Sequence, residues 1–316
     1  TYWPHALRAG VELRTRCRVR EITVNSKGMA TGVIYYDANG VAHKQEAEVV
    51  IVACNGVGTP RLLLNSKSTA FPDGIANSSG LAGKNLMLHA MAVVQGQFKS
   101  NLSGFMGPTG CALWSKEFYE TDLNRGYARG YTFEVVRGSG PANTALGAMA
   151  SGALPWGANH HESFARMFDK SATLVAVGED LPEEHNTVTL DPNLYDSNGI
   201  PAAKISYTLG ENSQKMIAHA GARAAEVFKA AGAIAVSPTI SSGVASGHSM
   251  GTARMGTDPN HSVVNEWGRS HDVKNLFIVD SSVFVTSAGV NPTSTLQAVA
   301  LYIADSMKNR LANLFD

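Results

Sequence analysis

The chain has 316 residues, with 26 Lys and Arg balanced by 26 Asp and Glu, 44% hydrophobic and 16% charged residues. That balance excludes a disordered chain, which needs low hydrophobicity or high net charge. It also leaves no basic excess for a nucleic-acid binder, and the length fits roughly two domains of about 100–200 residues.

The opening TYWPHALRAG lacks the basic start and apolar run of a signal peptide. The chain starts at Thr1, which leaves cytoplasmic and periplasmic locations both open. Alternation over 11–24 (VELRTRCRVREITV) predicts a half-buried strand, and GVIYYD at 32–37 a second. An Asn39–Gly40 turn then leads into a third strand at 41–46, completing a β-meander. EVVIVA at 48–53 is an unbroken apolar run, as expected of a strand covered on both faces in a parallel sheet. NGVGTP and RLLL follow, predicting a tight turn and a helix with Pro60 near its first position.

The segment 71–240 changes character, with short strand signals at 90–98, 127–136, 172–177 and 187–190. One clear helix is predicted over 212–232, with Met216, Ile217, Ala220, Ala224, Val227, Phe228 and Ala231 on its apolar stripe. LFIV at 276–279 is a second buried parallel strand. Asn291 as N-cap and Pro292 as first residue open a last helix, whose stripe is Leu296, Ala300, Ile303 and Met307. The longest weakly polar stretch, 145–158, is interrupted by Gly and Pro155 and falls short of the ~20 residues a membrane span needs. Cys17, Cys54 and Cys111 are odd in number and far apart, which supports neither a disulfide framework nor a zinc site. The adjacent His160, His161 and Glu162 diverge in direction and have no third ligand, so no metal is expected.

Four constellations stand out. GVGTPR at 56–61 imitates the dinucleotide turn, but Arg61 stands where the third Gly belongs, so it reads as another strand–helix turn. GHSMGTARMG at 247–256 sets His248 among small residues that let a substrate come close; alone, it reads as a loop histidine. VNPT at 290–293 opens a helix whose N-terminus can stabilise an anion, or is merely a cap. LFIVD at 276–280 ends a parallel strand on Asp280, placed to bind hydroxyls or to form a turn.

Together, in this order and spacing, His248 with GTARMG, then LFIVDSSVF, then NPT resemble the C-terminal part of the glucose–methanol–choline (GMC) oxidoreductases. GTPRLLLNS at 58–66 looks like the family's second signature, with Lys67 where Gly is usual, and LAGKNL at 81–86 resembles the element after it. The resemblance implies an α/β FAD-binding domain that is Rossmann-like but incomplete, lacking its N-terminal GxGxxG unit. It also implies an α+β substrate domain, an antiparallel sheet backed by helices. The expected division is 1–70 for the first FAD part, 71–240 for the substrate domain and 241–316 for the second FAD part.

It further implies FAD-dependent oxidation of a CH–OH group in a sugar, polyol or other alcohol. His248 takes the hydroxyl proton while hydride passes to flavin N5, and Asn291 orients the substrate oxygen. Asn in place of the family's second His resembles the bacterial sugar-acid, fructose and choline branch. Cofactor contacts are expected from Val19, Ala53, Cys54, Gly56, Asp280, Ser281, Asn291, Pro292 and Thr293. The same resemblance implies an N-terminal FAD-binding portion as partner, in the same or a separate chain, and a quinone or cytochrome as electron acceptor. Two other readings stay open: a non-catalytic remnant or sugar-binding module without a working cofactor site, and a nicotinamide dehydrogenase using Gly56 and Gly58.

Overall fold

A computed structural model describes residues 2–107, 113–136, 138–242 and 247–310. Cys111 lies outside them. A short helix, α1 (Tyr2–Arg8), is followed by the meander β1 (Arg18–Val24), β2 (Ala30–Tyr36) and β3 (Ala42–Glu46), all antiparallel. The strand expected from residue 11 forms only from Arg18. Residues 11–17 are exposed and have no partner strand, so their alternation has no ladder to join; Arg14 instead bonds Glu12, Tyr35 and Gln45.

β4 (Val50–Val52) then leads into α2 (Asn55–Asn65). Pro60 lies inside α2, not at its first position. Having no N–H, it leaves the carbonyl of Gly56, four residues back, without its helical partner. That carbonyl accepts the Thr252 hydroxyl at 2.8 Å, so the helix keeps its proline because a distant side chain supplies the missing bond.

The central unit is an antiparallel sheet built from β5 (Ala90–Gln97), β6 (Leu113–Ser115), β7 (Tyr131–Val136) and β8 (Ser171–Gly178). Helices α3 (Pro141–Ala150) and α4 (His160–Met167) lie between β7 and β8 in sequence. β9 (Thr187–Tyr195) and β10 (Pro201–Ser206) form a separate hairpin. It docks on α2, where Arg61 donates to the Pro201 and Ile200 carbonyls and to Asp196. After α5 (Glu211–Ala230), the short strands β11 (Ala235–Val236) and β12 (Ile240–Ser242) both pair with β5. The sheet order is β11–β5–β8–β7–β6.

α5 covers one face of this sheet through the buried Met216, Ile217, Ala220, Ala224 and Phe228. Val227 and Ala231, also expected on that stripe, are exposed. Gly96 makes room for the Phe228 ring, since a Cβ there would lie 2.5 Å from it.

β13 (Leu276–Ile278) returns to pair in parallel with β4, Leu276 opposite Val50 and Ile278 opposite Val52. β13 is fully buried, but Ile51 of β4 is 52% exposed, so β4 is covered on one face only and not on both as its apolar run suggested. The last helix, α6 (Thr293–Arg310), starts one residue later than expected. The Pro292 carbonyl takes the first helical bond, from the Leu296 N–H at 2.9 Å. Pro292 therefore occupies the cap position and Asn291 lies just outside it. On the predicted stripe Ile303 is fully buried and Leu296, Ala300 and Met307 are half-buried. No described helix is long and apolar enough to cross a membrane.

Candidate active site

The carboxyl ends of β4 and β13 open onto a cavity of about 780 Å³. In open parallel sheets, this is where ligands bind. Ala53, Asp280 and Ser281 form its strand-end wall, Pro292, Thr293 and Leu296 come from the start of α6, and His248 enters from a third side. Val57, Leu86, Leu88 and Ile205 make much of the remainder apolar. Of the residues expected at the cofactor, this cavity unites Ala53, Asp280, Ser281, Pro292 and Thr293 with His248.

Val19 and Cys54 line a second, smaller cavity of about 270 Å³, together with Arg18, Gly58 and Arg61. Because Ala53 and Cys54 are consecutive, the two cavities flank the end of β4. Gly56 is a point of close approach, but to the protein itself: a Cβ there would lie 2.5 Å from the Ser249 carbonyl oxygen. Its missing side chain lets the His248 segment lie directly on α2.

Hydrogen bonds fix this wall. The Asp280 carboxylate accepts from the Cys54 and Ser282 N–H groups, each at 2.8 Å, and from the Thr59 hydroxyl. It clamps the turn after β4 to the turn after β13. The Ser281 hydroxyl donates to the Ser249 carbonyl at 2.6 Å, and the Gly251, Ala253 and Met255 N–H groups donate to the Ser281, Ser282 and Val283 carbonyls. His248, half-buried, thus sits on a segment stitched to the strand-end turn on one side.

The loop to Asn291 is held from the central sheet. Ser287 exchanges hydrogen bonds with the Asp180 backbone, and the Gly289 carbonyl accepts the Thr132 hydroxyl at 2.6 Å. Asn291 itself is exposed. Its side chain makes no hydrogen bond to the described residues and is not consumed as a helix cap.

Two residues of this region carried no signal in the sequence. Asp180 is 2% exposed and accepts from the Tyr207 hydroxyl at 2.7 Å, the Ser213 hydroxyl at 3.0 Å and the Leu88 N–H at 3.2 Å. Burial raises its pKa, although these hydrogen bonds oppose the shift. His89 is 1% exposed and packs edge-to-face on His248. Neither belongs to a motif, and only tertiary pairing brings them to the site. Among the described residues no group of three or more His, Cys, Asp or Glu could hold a metal ion.

The shape and chemistry of the larger cavity suit a flavin. Its walls are mostly apolar, as a flat ring system requires, and it has a polar edge at Asp280, Ser281, Thr293 and His248. The first N–H groups of α6 have no partner within the helix and point toward the cap end, favouring negative charge there.

Comparison with known proteins agrees. The GMC oxidoreductase family matches at residues 1–91 and again at 182–300, together more than half of the chain. A 2-methyl-1,2-propanediol dehydrogenase from Mycolicibacterium austroafricanum is 42% identical over 322 residues, covering 100% of this chain and 58% of that protein. The fructose dehydrogenase large subunit of Gluconobacter japonicus is 29% identical, covering 97% of this chain and 55% of its own length. The fold matches that of Aspergillus oryzae formate oxidase, in a structure concerned with its FAD modification, at a TM-score of 0.66 and 17% identity. That match covers 94% of this chain and 61% of the oxidase.

The chain belongs to the GMC oxidoreductase family, whose members bind FAD and act on alcohols and sugars. It spans little more than half the length of the relatives it matches.

Proposed function

We propose that this protein oxidises the CH–OH group of a small alcohol, polyol or sugar, with His248 as general base. The observation that carries this reading is the shared cavity, in which His248 faces the strand-end turns and the start of α6. The hydroxyl proton passes to an imidazole nitrogen of His248 as the alcohol carbon becomes a carbonyl. FAD, when bound, supplies the acceptor for the hydride that leaves this carbon. Asn291 hydrogen-bonds the substrate oxygen and sets its angle, its side chain having no competing hydrogen bond among the described residues. The N–H groups of Thr293 and Ser294 favour the negative charge that reduction brings to this end of the cavity; Pro292 has none to offer. Val19 and Cys54, in the neighbouring cavity, hold the nucleotide end of the cofactor.

The 42% identical relative is named for a short diol and the fructose dehydrogenase for a sugar. Both substrates fall within the class proposed here. The test is His248→Ala in the flavin-loaded enzyme, assayed with 1,2-diols and sugars. Turnover should fall by about 10²–10⁴-fold while the bound flavin keeps its absorption spectrum. Undiminished turnover removes His248 from the role of base.

A further inference from the structure

Met87 and Met250 form an antiparallel pair, each N–H donating to the other's carbonyl at 3.0 Å. Two residues further along each segment, His89 stands opposite His248 on the same face. The rings meet there at 5.0 Å between centroids and 86° between planes. Nδ1 of His89 lies 3.2 Å from the Gly178 carbonyl oxygen. A carbonyl only accepts, so Nδ1 carries the hydrogen and Nε2 is left as an acceptor. That Nε2 is buried and has no hydrogen-bond partner among the described residues. Buried polar atoms are rarely left so, and the exceptions call for an explanation.

We propose that His89 is a positioning residue for His248: a neutral imidazole, fixed in its Nδ1–H tautomer by Gly178, that sets the plane of the His248 ring and offers Nε2 as acceptor to the His248 N–H on the side away from the substrate as that ring becomes an imidazolium. This rests on the reading of His248 as base, because an acceptor on the side away from the substrate favours the imidazolium that proton transfer creates. The role is distinct from the one proposed for Asn291, which precedes α6.

The surroundings keep His89 uncharged. Burial first, and His248 second, press its pKa down to about 4. The other titratable groups around the pair are Asp180, Glu179 and Asp280. Asp180 accepts from the Leu88 N–H and the Tyr207 hydroxyl, Glu179 pairs with Arg129 at 3.5 Å, and Asp280 lines the His248 cavity. Burial raises the pKa of both Asp180 and Glu179, and the bonds they make go to groups other than His89.

The test combines a spectroscopic and a kinetic readout on the flavin-bound holoenzyme. With ¹⁵N-labelled histidine, NMR should report His89 as the neutral Nδ1–H tautomer from about pH 5 to about 8. His89→Phe keeps a ring but no acceptor; it should lower kcat by at least about 10-fold with KM changed by less than about 3-fold. His89→Gln, which restores an amide oxygen, should recover part of that loss. Protonation of His89 in this pH range, an Nε2–H tautomer, or an unchanged kcat in His89→Phe overturns the proposal. If the Phe variant does not fold, His89→Gln supplies the kinetic comparison, and a protonated or Nε2–H His89 overturns the proposal whichever alcohol is tried.

Discussion

The hydroxyl of Thr252 donates to the carbonyl of Gly56 at 2.8 Å, the carbonyl that Pro60 leaves without a helical partner. This bond joins the His248 segment to the first turn of α2. Thr252 is fully buried. Thr252→Val preserves the shape but strands the Gly56 carbonyl, at a cost of about 1–3 kcal/mol. Thr252→Ser keeps the donor and should cost less. Denaturant titration of the three proteins checks this; equal midpoints for the Val variant and the parent would discount the bond.

Gly56→Ala should strike the same contact from the other side. Its Cβ would lie 2.5 Å from the Ser249 oxygen, and both groups belong to backbone. Relief requires the His248 segment to move. Overpacking of this kind costs about 1–3 kcal/mol, and a displacement of about 1 Å at a base can cost roughly 10²-fold in rate. Turnover should therefore fall much further than the drop in melting temperature suggests, which steady-state kinetics and calorimetry together will show.

Acid should destabilise the protein through His89. Its folded pKa of about 4 lies below the ordinary 6.5. Above pH 6.5 the ring is neutral in both folded and unfolded chains and nothing is lost. As the pH falls from there to about 4, the unfolded chain takes up the proton first. The folded state then loses about 3 kcal/mol. His89→Asn retains an N–H for Gly178 and has no titrating ring, so the stability difference between parent and variant should shrink across this window. A difference that stays constant from pH 7 to 4 would contradict the assignment.

Asp180 predicts a slope of opposite sense. Its folded pKa is raised, first of all by burial, so between the unfolded and folded values the folded state holds the extra proton. Stability should decline as pH rises through that window and then level off. Asp180→Asn can present its oxygen to Leu88 and Tyr207 and its NH₂ to Ser213, and it carries no titrating group. Its stability should lack this slope, as unfolding measured over a pH series will reveal.

Much of the fold was legible in local pattern. The apolar runs at β4 and β13 predicted the parallel pair, and the stripe of Met216, Ala220, Ala224 and Phe228 predicted α5 and its buried face. Local pattern failed where partners decide. The alternation over 11–17 has no neighbouring strand, and Pro60 sits inside α2 because Thr252, 192 residues away, satisfies the carbonyl. At the site, the order and spacing of the motifs, not its small neighbours alone, pointed to His248, which lines the cavity. His89 was not, since a histidine entering an apolar strand has no periodicity of its own and acquires meaning only from the residue opposite.

The Met87–Met250 pair has a consequence for how this region tolerates change. Side chains alternate faces along such a pair, so a slip of one residue turns every one of them over. A single insertion or deletion between His248 and Met250 would exchange the ring opposite His89 for a neighbour. A substitution at the lining residues Leu86, Leu88 or Ile205 changes one side chain of the cavity and leaves this register intact. The spacing that brings the two histidines together permits no such gradual revision.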